Sequence, residues 1–206
     1  MEKQQALMPL DISYDLVYCI DCLSEEEQAK YKISQELIDF LASIGVKNSR
    51  IICPDKKAFI EACSYLEKRA KEGTKFCLHI VSHGNNDGIG IKATGEPILW
   101  ADFGDMLGVI NKEMSNGLII NFTSCMGLHG IKIAEYVKTP FFGLIGYSEK
   151  LKIAKGKAIN ELFYTKLSEG KPIQEIIPEI QKELNDNNLY CISTEGYNTI
   201  TKNKIL

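Results

Sequence analysis

Two short stretches hold the residues best suited to chemistry. In Gly117–Gly127 an apolar run with one Asn reads as a buried strand, Leu118–Phe122, which breaks into a small-residue turn holding Cys125. In Phe76–Gly84 a second buried strand, Phe76–Val81, runs into Ser82-His83-Gly84. A thiol at such a turn offers a nucleophile, and the helical pattern that follows Cys125 would favour its thiolate form. An imidazole titrates in the range needed to protonate a departing amine. Acyl transfer also requires donors preorganised around the carbonyl oxygen. The N–H groups of Gly84 and Cys125 are the candidates, Gly84 because a residue without a side chain lets its backbone approach closely.

The remaining segments must bring these turns together. Asp15–Ile20 reads as a first buried strand ending at Asp21, and Arg50–Cys53 as a second. Between them, Ser24 and Glu27 have capping-box spacing, and Ala29, Ile33, Leu37, Leu41 and Ile44 continue down one helical face to Gly45. Pro54-Asp55 opens a helix that buries Phe59, Ala62, Cys63, Leu66 and Ala70. Strand and helix alternating at this spacing predict parallel strands with crossover helices.

After His83 the chain predicts a small hairpin, Ile89–Ile91 and Ile98–Trp100 around Ala93–Glu96, then a helix capped by Asp102. That helix buries Phe103, Met106, Leu107, Ile110 and Met114. The turn at Cys125, a helix after it to about Lys138 and a fifth strand, Phe141–Ile145, follow the central strand. The spacing next predicts a helix over Lys152–Ser168 with Ala158, Leu162, Phe163 and Leu167 inward. Ile173, Ile176, Ile177, Ile180 and Leu184 mark another, kinked or restarted at Pro178. A terminal strand or weak hairpin is expected around Glu195-Gly196. The expected architecture is a single domain over residues 1–206, a three-layer α/β/α sandwich with about six mostly parallel strands. Ligands bind such sheets outside the carboxyl ends of the strands, where strand order reverses. Asp21, His83 and Cys125 each lie just past a strand end, so they converge if those strands are neighbours.

Composition limits the alternatives. The chain has 206 residues, 45% apolar and 25% charged, with a net charge of −3 and no basic stripe, which gives no reason to expect contact with nucleic acid. No apolar run approaches the ~18 residues of a membrane-spanning helix. The first residues lack a signal-peptide layout, so the seven cysteines are expected reduced and the chain cytoplasmic. No cofactor or metal is expected.

Other readings of the same residues stay open. Cys19-Ile-Asp-Cys22 is a C-x-x-C after a strand, the spacing of a thiol redox pair. His129 follows Cys125 on one helical face and is the rival base, though helical neighbours are poorly placed to flank a scissile bond from opposite sides. His79 reads as a core histidine. Asp21 is either a solvated carboxylate or a substrate-binding one.

The motifs resemble those of caspase-like cysteine peptidases, and within them the CHAT domains. Thr123-Ser-Cys-Met-Gly127 keeps the Cys and Gly of the caspase signature, with His83 upstream by somewhat less than its ~50 residues. Ser82-His-Gly84, the hairpin ending Glu96-Pro-Ile-Leu-Trp-Ala101 and the next helix resemble the CHAT histidine half. Ile119–Cys125 resembles its cysteine half, and Leu162–Pro172 its Phe-Tyr…Leu…Gly helix end. Together they span residues 76–180 in the family's order.

The resemblance implies a caspase-hemoglobinase fold and a cysteine endopeptidase with a Cys125–His83 dyad. It implies a protein or peptide substrate and an activating protein partner acting in trans, as in bacterial defence or cell-death systems. In some relatives an acidic residue at the first substrate pocket selects Arg or Lys, which would be the place of Asp21; others cleave after apolar residues. A catalytically silent interaction module is the alternative within the same fold. Met126-Gly127 and the loop Gly146–Lys155, which lacks the acidic residue many relatives carry, depart from the family pattern.

Overall fold

Leu16–Asp21 forms a strand, β1, whose alternate residues enter two different cores: Val17 and Cys19 on one face, Tyr18 and Ile20 on the other. A strand apolar on both faces has to lie inside a sheet covered on both sides, and this one does. The structure, a computed structural model, describes residues 14–91 and 94–203. Part of the expected hairpin turn at 92–93 and the start of the chain, read above as lacking an export signal, lie outside them.

The main sheet also contains β2 (Asn48–Ile52), β3 (Phe76–Val81), β7 (Ile119–Thr123), β8 (Gly143–Tyr147) and β9 (Leu189–Ser193), in the order β2-β1-β3-β7-β8-β9. All pairings are parallel except β8 with β9. Between β3 and β7, strands β4 (His83–Gly84), β5 (Gly88–Ile91) and β6 (Glu96–Leu99) form a separate antiparallel sheet. The expected hairpin is present, with His83 and Gly84 added to its edge.

One face is covered by α3 (Lys56–Lys71) and α4 (Trp100–Glu113) together with Ile89, Ile91 and Ile98 of the small sheet. The other is covered by α2 (Ile33–Ser43), α6 (Ile153–Ser168) and α7 (Ile173–Leu184). The protein is therefore a three-layer α/β/α sandwich with a mostly parallel sheet. The α3 residues expected in the core are the ones buried there.

Several expectations are corrected. The helix expected from Ala29 to Ile44 is two: α1 (Glu25–Tyr31) ends at Lys32, which adopts a left-handed φ of 51°, and α2 restarts so that the hydroxyl of Ser34 reaches Asp21. Helix α4 has Leu99 rather than Asp102 at its N-cap, and Asp102 pairs with Lys56 at 3.0 Å. In α6 the inward residues are Ile159, Phe163, Tyr164 and Leu167, with Ala158 and Leu162 at the margin. Helix α7 runs through Pro178 without restarting; Pro178 and Gln174 are both exposed, so the carbonyl that the proline cannot serve lies on the solvent side. The expected terminal strand is present as β9, but past it the chain forms α8 (Thr194–Asn203) rather than a hairpin; Ser193 Oγ accepts from the N–H of Gly196 at 3.0 Å and caps that helix.

Candidate active site

The registers fix where the turns fall. Asp21 pairs with Val81 and Val81 with Thr123, so the first, third and fourth parallel strands end level with one another. His83 and Cys125 each stand two residues beyond the last pair, Val81 and Thr123. Strand order reverses between β1 and β3, which makes this edge the sheet's switch point.

Cys125 sits where two hollows meet. One is an open groove of about 430 Å³ between Gly84, Asn85, Asn86 and Asp87 on one side and Cys125, Met126 and Lys150 on the other. The second, about 100 Å³, is lined by both His83 and Cys125. Its walls are mostly apolar (Leu23, Tyr31, Ile33, Leu151), with Ser82, Thr123, Ser124 and Glu27 among its polar groups. Cys125 and His83 thus share one cavity, as expected.

The sulfur is held by the loop after β8. Leu151 donates its N–H to Cys125 Sγ at 3.3 Å, and Met126 donates to the carbonyl of Glu149 at 2.9 Å. An N–H directed at sulfur stabilises negative charge there. The regular helix expected after Cys125 is absent: Met126 has φ 57°, a 3₁₀ segment covers Gly127–Lys132, and a four-residue helix, α5, covers Ile133–Tyr136. So short and irregular a segment supplies little helix dipole. The Leu151 amide is the local donor instead. Among the described residues the N–H of Cys125 itself has no acceptor, as an oxyanion donor requires.

His83 is half exposed, and its Nε2 lies 3.0 Å from Glu27 Oε1, whose side chain is only 11% exposed. Ser24 and Glu27 form the expected capping box of α1: Ser24 Oγ accepts from the Glu27 N–H at 3.3 Å, and Glu27 Oε2 accepts from Ser24 N–H at 3.3 Å and Oγ at 2.9 Å. The sequence marks Glu27 as a capping residue. Its second contact, with a histidine from another element, depends on tertiary placement that the local pattern does not carry.

Asp21 is not in the site. Its carboxylate is buried and accepts from the Leu23 N–H at 3.0 Å, from Ser34 Oγ, and from Arg50 in an ion pair at 3.1 Å. It lines neither hollow. The reading of Asp21 as a substrate-binding group is therefore corrected: its oxygens are committed to tying the β1–α1 loop to α2 and β2. His129 lies on the 3₁₀ segment and lines neither hollow.

Cys19 and Cys22 fall into the cores on opposite faces of the sheet, so the C-x-x-C spacing does not bring two thiols together. Burial pushes both thiols up, which leaves them neutral.

Beneath the site lies a buried polar cluster. His79 Nδ1 is 2.9 Å from the Tyr164 hydroxyl and Nε2 is 3.0 Å from Thr123 Oγ1, which Asn160 Nδ2 also contacts at 3.0 Å. Burial lowers the His79 pKa to about 3, so the ring is neutral and joins β3, β7 and α6 directly under the Cys125 turn. His79 is a core histidine, as its strand position implies.

Among the described residues no group of three or more His, Cys, Asp or Glu is arranged to hold a metal ion, and no helix is long and apolar enough to cross a membrane. No protein-family model matches the chain, and neither does any curated protein.

Proposed function

We propose that the protein is a cysteine endopeptidase of the caspase-like type, with Cys125 as nucleophile and His83 as general acid and base. The observation that carries this reading is the shared cavity of Cys125 and His83 at the ends of adjacent parallel strands, with Gly84 packed beside the Cys125 turn. The motif resemblance at both turns supports it independently.

In this mechanism the Cys125 thiolate attacks the carbonyl carbon of a peptide bond. The carbonyl oxygen takes up negative charge facing the N–H groups of Gly84 and Cys125. His83 gives its proton to the amine as the C–N bond breaks, leaving a thioester. Water then attacks the thioester as His83 takes its proton, and the sulfur leaves as the thiolate. No metal or cofactor takes part. A reducing compartment such as the cytoplasm suits the thiol, and an activating protein partner suits a sulfur already in contact with the Leu151 amide.

The small hollow suits the substrate side chain on the acyl side of the cleaved bond. Its roughly 100 Å³ is room for a single small or medium side chain. The nearby carboxylates are engaged, Glu27 by His83 and Ser24 and Asp21 by Arg50. The mostly apolar walls therefore favour an aliphatic side chain such as Leu or Met over Lys or Arg.

The test is labelling by a peptidyl chloromethyl ketone or acyloxymethyl ketone, with candidate protein partners added. One equivalent should attach at Cys125, and Cys125→Ala should abolish both labelling and turnover. Full peptidase activity in Cys125→Ala would sink the reading.

A second reading, a catalytically silent interaction module of the same fold, is favoured by the contact of the Leu151 backbone with Sγ, which occupies the nucleophile in this conformation. Its sign would be no reaction of Cys125 with either electrophile under any activating condition.

A further inference from the structure

We propose that Glu27 is the positioning residue of this site: its carboxylate accepts the Nε2–H of His83 and so leaves Nδ1 for the thiol and the leaving amine. The inference rests on the peptidase reading for its functional consequence, but the geometry behind it does not. Neutral imidazole has one N–H and one acceptor nitrogen, and the hydrogen bond made by one nitrogen decides the state of the other. An ionised carboxylate only accepts, so a carboxylate at 3.0 Å from Nε2 places the proton there.

The carboxylate is itself held. Oε2 is bonded to the Ser24 hydroxyl and N–H, and the backbone of Glu27 is tied to Ser24 Oγ. Ser24 follows Leu23, whose N–H is bonded to Asp21, and Asp21 is paired with Arg50. Arg50 also donates to Gln28 on α1 at 2.8 Å. The start of α1 is thus clamped to β1 and β2, and Glu27 extends that clamp to a histidine ring that is 51% exposed. A ring this open to solvent has few packing contacts to hold its orientation, so an anchored acceptor decides where its other nitrogen points. The helix cap and the orientation of the general acid are therefore set by the same carboxylate. Glu27, Tyr31 and Cys125 are the titratable groups that share the hollow with His83.

The test uses Glu27→Gln, Glu27→Ala and Ser24→Ala in the full chain. Gln keeps both the capping-box geometry and an oxygen acceptor, and removes only the charge. With a fluorogenic peptide, Glu27→Ala should lower kcat by about 10–100-fold with KM little changed. Glu27→Gln should keep more of kcat than Glu27→Ala, because the amide oxygen can still accept from Nε2. Ser24→Ala should fall between wild type and Glu27→Ala.

Independently of turnover, ¹⁵N NMR of the imidazoles should find neutral His83 protonated at Nε2 in the wild type and in Glu27→Gln, and as a tautomer mixture in Glu27→Ala. An unchanged His83 tautomer in folded Glu27→Ala would overturn the proposal. A tautomer shift in a protein that cleaves no peptide and takes no electrophile would instead uphold the contact and remove the peptidase reading.

Discussion

Gly84 and Cys125 are packed backbone to backbone: a Cβ built on Gly84 would overlap the carbonyl oxygen of Cys125 and stand 3.1 Å from Ser124 Oγ. The histidine turn and the cysteine turn are therefore in direct contact, and only a residue without a side chain allows it. Because the obstacle is backbone, the neighbour cannot swing aside. Gly84→Ala should push the turns apart by a few tenths of an ångström or more. Misplacement of that size costs catalysis far more than folding. The expected result is a loss of about 100-fold or more in kcat/KM with a native circular-dichroism spectrum. Near-normal turnover would mean that this contact does not set the active geometry.

The small hollow makes a prediction about substrates. In a peptide library varied at the residue before the cleaved bond, Leu and Met should be preferred over Lys, Arg and Asp. Ile153 lines the hollow and is partly exposed, so Ile153→Ala should widen it without opening the core. Pocket changes of a few methylenes shift selectivity by about 10–200-fold, and here the shift should be towards larger side chains. A strong preference for Arg or Lys would contradict the assignment of the hollow.

The centre of the sheet was legible because β1, β3, β7 and β8 are apolar on both faces, the pattern of strands covered on both sides. The residues Phe59, Ala62, Cys63, Leu66 and Ala70 declared the α3 face in the same way. The proximity of His83 and Cys125 was legible from topology, since Val81 and Thr123 had only to be neighbours for the two turns to meet. What local pattern could not carry was the assignment of carboxylates. Asp21 ends β1 and Glu27 follows it closely, and their roles separate only through partners from distant segments, Arg50 and Ser34 for one and His83 for the other. Likewise Lys32 breaks a helix whose apolar spacing continues across it, and just past the break Ser34 bonds to Asp21.

That division of roles can be measured on Asp21. Asp21→Ala removes the partner of a largely buried arginine and an acceptor for the Leu23 N–H. Breaking a buried pair from one side costs about 3–5 kcal/mol, and the 20% exposure of Arg50 puts this one towards the lower end. Urea unfolding should therefore show a loss of roughly 3 kcal/mol. Residual activity, measured where the variant is folded, should keep the wild-type ranking of aliphatic over cationic peptides. A change in that ranking would restore Asp21 to the substrate site.

His79 predicts an acid limb in stability. The unfolded chain takes up a proton at an ordinary histidine pKa of ~6.5, whereas the native ring, buried between Tyr164 and Thr123, does so only at about 3. Between those values the unfolded state binds more protons, so stability rises with pH. The contribution is complete above the unfolded pKa and is lost as pH falls, at about 1.4 kcal/mol per pH unit. The window from pH 5 to 6 isolates it, because Glu179 and Asp186, held near 2 by their lysine partners, act at lower pH. His79→Gln should be less stable at pH 7.5 by about 1–3 kcal/mol, through the broken contacts with Tyr164 and Thr123. It should also lose the slope between pH 5 and 6 in a series of urea titrations. A slope that survives the substitution would place the acid sensitivity elsewhere and remove His79 as its source.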